Sequence, residues 1–380
     1  MSLSEILAEC ARIAAGSSGA GAGALASVAK RHGSLPMSAT AKMLVTAGGA
    51  RIGTVGGGCL EAEIIERAHD VLQTRLPALS SHSLNAELAG DYGLTCGGTA
   101  EMLIEPVFAD ERLAAVYAEA AALMARGERA LMATGIDWSE GVMKAIVNPG
   151  RSVSADDDLD RSSRREPEIV GADNDRVRAA IVGFDAMSEL PSLENGVLVE
   201  PISGKPRLVV FGAGHVGARI AEAAAFAGWR VTVADDRADF ADAKRLPFAE
   251  LVVTCDFHDV LGAVQLDAET YVVIATRGHQ HDVVLAGQLV PRPLRYLGML
   301  GSRRKVALTE KVLREWGVTD EAIGKVRAPV GLAIGADTPE EIAVSVVAEM
   351  IAVRRAGSRR RGGGEVHAGG AHGGNAAKEE

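Results

Sequence analysis

The chain has 380 residues, of which 47% are hydrophobic and 24% are charged, and its formal net charge at pH 7 is −10. This length favours two domains over a single core, and the negative charge argues against general binding to nucleic acid or to anionic membranes. No run of about 18 residues is uniformly apolar and uncharged, so no transmembrane span is predicted. The four cysteines lack CxxC spacing and favour a reducing cytoplasm over a disulfide framework.

Residues 1–150 predict a smaller α+β domain with a helix at its start, because apolar residues recur at helical spacing up to Ile13. A hairpin is predicted from Lys42–Val45 and Arg51–Val55, and a helix from about Cys59 to Arg75 after three glycines. Three later strands are expected to share one sheet: Ala100–Ile104, Arg129–Thr134 and Val142–Val147. We see no internal repeat in the sequence.

Two segments have the composition of connections. Residues 151–175 are highly charged and poor in large apolar groups, and we assign 151–204 to a polar linker and connecting segment. Residues 356–380 are a low-complexity tail that we expect to be disordered.

Residues 205–355 predict a Rossmann-type domain, because continuous apolar strands alternate with helices. Such a pattern is typical of a parallel sheet that is covered on both faces. A long final helix is predicted from Thr338, with Pro339 in its first turn. The predicted strands are Arg207–Phe211, Arg230–Ala234, Leu251–Thr254, Tyr271–Ala275, Tyr296–Met299 and Ala328–Ile334.

The best candidate binding site is the motif GAGHVG, which contains Gly212, Gly214, His215 and Gly217. It follows an apolar strand and opens a helix, which is the context of a phosphate-binding loop. Asp235 ends the next strand and is placed to accept ribose hydroxyls of a dinucleotide. The alternative for the glycine motif is a tight turn without a ligand, and the alternative for Asp235 is a carboxylate exposed to solvent at the end of its strand.

Other candidates follow later strands. In TRGHQHD, Arg277 and His279 are expected to face the ligand, and His279 and Asp282 are candidates for proton handling or phosphate binding. A metal site is the weaker alternative there, because no further ligand pair has suitable spacing. The basic helix start at 302–305 is a candidate to neutralise an anion, although a solvated face is the commoner outcome.

Cys59 and Cys96 are the candidate reactive cysteines, each beside glycines. A cysteine at a helix N-terminus has its thiolate stabilised by free amides and by the helix dipole. Cys59 is therefore a candidate nucleophile, sulfur carrier or metal ligand, with a small buried residue as the alternative. Cys10 and Cys255 lie on apolar periodic faces and are predicted to be core residues.

Taken together, these motifs resemble the XdhC/CoxI family, the accessory factors of xanthine dehydrogenase and related molybdenum hydroxylases. The resemblance covers both predicted domains and most of the chain. It rests on GTVGGGCLEAEI, LTCGG, FGAGHVG, VADDRADFADAKRLP, TRGHQHD, YLGMLGSRRK and APVGLAIGADTPEEIAVSVVAEMI.

The resemblance implies a protein that binds molybdenum cofactor (molybdopterin), holds it while a cysteine desulfurase supplies its sulfido ligand, and helps insert it into a hydroxylase client. By resemblance, Cys59 and Cys96 contact molybdenum or sulfur, and Gly212, Gly214 and Gly217 contact phosphate. The alternatives are an NAD(P)-dependent oxidoreductase and a nucleotide-sensing module without chemistry. We find no hydride-transfer constellation, and whether the chain is an enzyme or a homodimer stays open.

Overall fold

The computed structural model describes residues 2–33, 35, 37–84, 98–148, 169–185 and 188–356, although the side chain of Cys59 is outside this description. It contains three five-stranded sheets, two of them antiparallel and the third parallel. The antiparallel sheets belong to an N-terminal α+β region and the parallel sheet to a C-terminal Rossmann domain. The predicted fold class is therefore confirmed. The predicted tail from Gly357 and most of the charged segment at 151–175 lie outside the described residues.

The first antiparallel sheet has the strand order β3-β2-β1-β5-β4. The chain enters it through a helix whose capping box joins Ser2 to Glu5 and whose buried face includes Leu7 and Cys10. The elements of this unit are α1 (Leu3–Ala14), β1 (Gly23–Gly33), β2 (Lys42–Thr46), β3 (Arg51–Thr54), α2 (Gly58–Thr74), β4 (Ala78–Leu84) and β5 (Gly98–Val107). The predicted first helix, hairpin and glycine-led helix are thereby confirmed.

The second antiparallel sheet has the order β8-β7-β6-β10-β9, the same succession as the first. Its elements are α3 (Glu111–Arg126), β6 (Arg129–Gly135), β7 (Lys144–Val147), β8 (Ile169–Gly171), α4 (Asp175–Gly183), β9 (Ser192–Glu194) and β10 (Val197–Ser203). Each unit thus runs helix, three strands, helix, two strands. The N-terminal region is therefore a structural duplication, which the absence of a repeat in the sequence did not predict.

The second sheet also corrects the predicted strand pairing. The strands at Arg129–Gly135 and Lys144–Val147 pair with each other and not with β5. The other neighbour of β6 is β10, which lies in the segment that we assigned to a connection. The sequence did not indicate this because β8 and β9 have three residues each, too few to show an alternating pattern.

Two buried ion pairs cross between the antiparallel sheets in a reciprocal way. Lys42 of β2 contacts Glu200 of β10 at 2.5 Å, and Lys144 of β7 contacts Glu105 of β5 at 2.7 Å. All four side chains are at most 5% exposed. The lysine of each unit therefore binds the glutamate of the other, which is the pattern of two units related by a two-fold axis.

Equivalent positions in the two units share their chemistry. Ser27 and Thr134 lie opposite the buried lysines of their own units and accept hydrogen bonds from them, at 2.6 and 2.8 Å. Gly53 and Gly171 have φ of 91° and 104°, and a Cβ at either would lie 2.4 Å from the carbonyl oxygen of its unit's buried lysine. A bulkier residue would push the edge strand of either sheet away from its neighbour.

The parallel sheet has the order β13-β12-β11-β14-β15, and apolar clusters cover both of its faces. Its strands are β11 (Arg207–Phe211), β12 (Arg230–Asp235), β13 (Leu251–Thr254), β14 (Thr270–Ile274) and β15 (Tyr296–Met299). Its helices are α5 (His215–Phe226), α6 (His279–Leu289), α7 (Arg303–Glu315), α8 (Asp320–Ile323) and α9 (Pro339–Ala356). These five strands and the final helix match the sequence prediction to within a residue at each strand end.

The sixth predicted strand, Ala328–Ile334, is wrong. An isolated bridge joins Gly298 to Arg327, just before this segment, and within it the N–H of Val330 donates to the Met299 carbonyl at 3.1 Å, but no ladder forms. The N–H of Gly331 donates to the Glu349 carboxylate at 3.0 Å, and that of Leu332 donates to the Ser345 carbonyl at 3.2 Å. Because these groups bond to α9, they are not available for a ladder with β15.

The polar contacts that cross between the duplicated region and the Rossmann domain lie beside the amino ends of the parallel strands, in the described part of the chain. Arg230, the first residue of β12, donates to the Ala125 carbonyl at 3.2 Å. Arg355, near the end of α9, pairs with Glu189 at 3.5 Å. The two parts thus meet at the amino ends of the parallel strands, whereas the glycine-rich loop lies at their carboxyl ends.

Candidate functional site

The glycine-rich loop lies where the strand order of the parallel sheet reverses. β11 is paired with β12 on one side and β14 on the other, and the loop connects β11 to α5. Connections leave these central strands in opposite directions and open a crevice at their carboxyl ends, the usual ligand position in such sheets. The structure therefore places Gly212–Gly217 at the topological switch point.

Each of the three glycines has a different environment. Gly212 has φ of 111°, and a Cβ there would lie 2.4 Å from the Ala275 carbonyl oxygen. A Cβ on Gly217 would lie 1.8 Å from the Gly212 carbonyl oxygen, so the helix can approach the strand only without a side chain. Gly214 has an ordinary φ of −68°, and its Cβ would meet no atom within 4 Å. The first and last glycines are needed for the turn, whereas Gly214 borders open space.

The open space beside Gly214 adjoins unpaired backbone donors. Gly214 is the N-cap of α5 and supplies no side chain to cap it, so the first-turn amides at His215, Val216 and Gly217 have no partner within the helix. These amides and the helix dipole favour an anion at this end. His215 is exposed at the first helical position.

Asp235 orders the loop from the end of β12. Its carboxylate accepts the N–H of Ala213 at 2.7 Å and both the N–H and the guanidinium of Arg237, at 2.8–3.0 Å, and it is only 1% exposed. Burial alone would raise the pKa of this carboxyl, but these hydrogen bonds outweigh burial and hold the pKa below its usual value. Both oxygens are thus engaged by the protein in the position where we expected ribose hydroxyls.

The rim of the crevice carries an ion cluster that joins the two flanking strands. Arg277, after β14, donates to Asp236 at 3.0 Å, and His281 lies 3.9 Å from the same carboxylate. Arg277 is 48% exposed. His279 starts α6, and its Nδ1 lies 3.4 Å from the hydroxyl of Thr309 on α7. The structure therefore places Arg277 at the switch point and turns His279 towards α7.

Asp282 is a structural carboxylate, because it is fully buried at the start of α6. It accepts the hydroxyl of Thr276 at 2.5 Å and forms an ion pair with Lys305 at the start of α7. Within the basic cluster at 302–305, Lys305 therefore forms an ion pair with a buried carboxylate of the same domain. Arg303 and Arg304 remain exposed at the same helix end.

A second glycine-rich entry precedes α2. Gly56, Gly57 and Gly58 have φ of 122°, 79° and 66°, a run that side chains would strain. The Glu61 carboxylate accepts the N–H groups of Val55 and Gly57, each at 3.2 Å, and so partly neutralises the positive field at this end. Sequence reasoning did not assign this role to Glu61, although a glutamate early in a helix is typical of such contacts.

The predicted reactive cysteines cannot be placed relative to these features. Cys59 is the second residue of α2, but its side chain is outside the description, and Cys96 lies outside the described residues. Cys10 is fully buried, which raises the pKa of its thiol, and Cys255 is partly buried with a raised pKa. Within the described ranges, no three His, Cys, Asp or Glu side chains form a metal-binding group.

Comparison with known proteins gives the class and then the family. A Rossmann domain preceded by a duplicated antiparallel α+β region defines a class of two-part α/β proteins. The profile of the XdhC Rossmann domain matches residues 208–350, and that of the XdhC and CoxI family matches residues 18–82. The chain therefore belongs to the XdhC/CoxI family, as its motifs predict.

Three curated relatives are similar to this chain. YqeB of Escherichia coli is 28% identical over 87% of this chain, which spans 43% of that protein. A probable xanthine dehydrogenase subunit of Bacillus subtilis is 27% identical over 87% of this chain and 93% of its own length. The molybdenum cofactor insertion chaperone PaoD of E. coli is 33% identical over 26% of this chain and 31% of its own length.

A solved structure has the same fold over nearly the whole chain. It is described as a xanthine dehydrogenase from Bacillus halodurans, with a TM-score of 0.69 and 25% identity, and the match covers 96% of this chain and 98% of that one. Among the described residues, none of the helices combines the length and apolar character of a membrane span.

Proposed function

We propose that this protein is an accessory factor that binds molybdenum cofactor and assists its insertion into a xanthine dehydrogenase-type molybdenum hydroxylase. Membership of the XdhC/CoxI family supports this, as do relatives named as a cofactor insertion chaperone and as part of a xanthine dehydrogenase. The structural observation that carries the proposal is the open space beside Gly214, between two glycines that admit no side chain.

The residues around this space fit a phosphate-bearing ligand. The amides at the start of α5 are donors for a phosphate, and Arg277 adds a cation at the rim. Asp235 holds Ala213 and Arg237 in place, so its contribution is to order the loop. When bound, the cofactor supplies molybdenum and its exchangeable terminal ligand. The chain itself contributes binding, orientation and protection.

The proposal assigns Cys59 and Cys96 to the metal end of the cofactor, where a thiolate would contact molybdenum or the incoming sulfur. A cysteine desulfurase would be the source of that sulfur. The glycines before α2 support the assignment for Cys59, because a helix N-terminus stabilises a thiolate. The Glu61 carboxylate, which accepts the Gly57 N–H, partly neutralises the positive field at this helix end and so acts against the assignment.

The alternative is an NAD(P)-dependent oxidoreductase or a nucleotide-sensing module. Ribose recognition by a carboxylate at the end of the second strand is the usual reason for NAD binding at such a loop. Here both oxygens of that carboxylate already accept protein donors. This observation favours a ligand that does not depend on Asp235 for recognition, as a pterin monophosphate would not.

The decisive experiment is analysis of the cofactor that copurifies with the protein from a host with intact pterin synthesis. Oxidation of bound pterin gives a fluorescent product that can be quantified per chain. We expect pterin on the wild type and its loss in Gly214→Val. Gly19→Val is the matched control, because Gly19 has an ordinary φ and open surroundings away from the crevice.

Two results would overturn the proposal. Copurification of NAD(P) alone would favour the oxidoreductase, and equal pterin content in the folded Gly214→Val variant would show that the loop is only a turn. Activation of an apo-hydroxylase by the loaded protein tests delivery, and omission of the desulfurase tests sulfuration.

We further propose a cytoplasmic location and a homodimer, the latter to be tested by sedimentation of the purified chain.

A further inference from the structure

An arginine-lined cavity lies between the duplicated region and the Rossmann domain, apart from the crevice described above. Its volume is about 140 Å³. The walls come from the amino ends of the parallel strands, the first residue of β6, the end of β10 and the last turn of α9. Its charged lining residues are Arg129, Glu189, Glu269, Arg295, Arg354 and Arg355. Four arginines against two glutamates leave a formal charge of +2.

Two of the lining arginines, Arg129 and Arg354, are held in place while one of their donors has no acceptor. Arg129 donates to Glu189 at 2.7 Å and to the Ser188 carbonyl, yet its Nε is buried without an acceptor, and the side chain is 8% exposed. Arg354 lies against Trp229, 5.4 Å from the ring centre, and its Nε is also buried without an acceptor. Unpaired buried donors cost free energy, so both guanidinium groups remain under-compensated in this environment.

The electrostatics at α9 point the same way. Burial and the neighbouring Arg355 lower the pKa of the Arg354 guanidinium, which means that its charge is poorly compensated. Burial raises the pKa of the Glu269 carboxyl on the facing wall. The charges of Arg295 and Arg129 act on this carboxyl in the opposite direction and lower its pKa.

The size of the cavity limits the ligand. Pockets for drug-sized molecules have volumes of about 300–1,000 Å³, and a water molecule occupies about 30 Å³, so this cavity suits a small ion and not a nucleotide. Guanidinium groups bind the oxygens of phosphate-like anions through paired N–H donors. The excess of arginines over glutamates in the lining favours an anion over a cation.

We propose that this cavity binds a tetrahedral oxyanion, such as inorganic phosphate or sulfate, that joins the two parts of the protein. The inference goes beyond the proposed function and does not depend on it. The chain passes from β10 to β11 through residues 204–206, and Gly204 and Pro206 line the cavity. An anion bound to arginines from both sides of this connection would restrict the motion of one part relative to the other.

The test is isothermal titration calorimetry of the full chain with sodium phosphate at fixed ionic strength. All proteins carry Gly214→Val, so that the glycine-rich loop does not contribute to the heat. Arg354→Gln should raise the Kd about tenfold or more, because it removes donors to a charged ligand. Arg314→Gln removes the same charge from the exposed side of α7 and should leave the Kd unchanged. Glu269→Gln should lower the Kd by removing a repelling charge.

The opposite directions expected for Arg354→Gln and Glu269→Gln separate ligand binding from simple destabilisation. If Arg354→Gln does not fold, Arg354→Lys keeps the charge without the planar donors and should still weaken binding. Absence of phosphate and sulfate binding at low ionic strength would overturn the proposal, and so would equal losses in Arg354→Gln and Arg314→Gln. Glycerol phosphate tests the size limit: tighter binding of it than of inorganic phosphate would also contradict a small inorganic ion as the ligand.

Discussion

Removal of one buried lysine from the duplicated region should destabilise it strongly. In Lys144→Met, the Glu105 carboxylate loses its partner at a position where it is 2% exposed. An uncompensated buried charge costs about 3–5 kcal/mol, and a whole domain is stable by about 5–15 kcal/mol. The variant should therefore lose a large part of its free energy of unfolding.

Removal of both charges should restore most of that loss. Replacement of a buried ion pair by apolar groups of similar size is often neutral or stabilising by about 1–4 kcal/mol. The Thr134 hydroxyl would lose its bond to Lys144, a cost of about 1 kcal/mol. Glu105→Met combined with Lys144→Met is therefore expected to be close to the wild type in stability. Lys30→Met is the control, because its ion pair with Glu101 is exposed and should contribute about 0–1 kcal/mol.

Urea unfolding followed by tryptophan fluorescence measures these differences. Trp138 packs in the same apolar cluster as Ile146 of β7, so its emission reports on the duplicated region once Trp229 and Trp316 of the Rossmann domain are replaced by Phe in every variant. A loss in Lys144→Met no larger than in Lys30→Met would refute the reasoning. A double variant as unstable as Lys144→Met would show that the lysine matters for packing and not for charge.

Three further predictions concern the loop and the cysteines. Gly217→Ala should destabilise the Rossmann domain whereas Gly214→Ala should not, because only the substitution at Gly217 introduces a clash. Thermal unfolding of both variants measures the difference, and equal melting temperatures would contradict the prediction. Cys59 should alkylate faster than Cys10, whose burial raises the pKa of its thiol, and bound cofactor should protect Cys59. Mass spectrometry after brief iodoacetamide treatment measures the order in which the cysteines react. If Cys59 reacts only after denaturation, it is a core residue. Because the pKa of Asp235 is lowered in the folded protein, its carboxylate stabilises the fold above the unfolded pKa of about 3.9, and this stability is lost as the pH falls through the folded pKa. Asp235→Asn should therefore lower the melting temperature at neutral pH and make the melting temperature fall less on acidification. An unchanged fall of the melting temperature with pH would argue against the hydrogen bonds to this carboxylate.

Local sequence was sufficient for the five strands of the Rossmann domain and for its loop, although it also indicated a sixth strand that does not form. Most of these strands are rich in apolar residues, and parallel strands covered on both faces need no partner elsewhere in the chain to be visible as strands. The turn at Gly212 and the close approach at Gly217 exclude side chains, so the glycine spacing itself carries the geometry. The same is true of the run of glycines before α2.

Tertiary structure alone decided the duplication and the state of the charged residues. Lys42 and Glu200 lie 158 positions apart, and a charged residue in a strand is normally assigned to the solvent face, so nothing local marks either as buried. The two units share chemistry at a few positions, which is too little for a sequence repeat. Asp235 is another case, because the partners of its carboxylate are determined by the loop folded against it. These properties depend on which segments meet across the sheets, and that information is not contained in any single stretch of the chain.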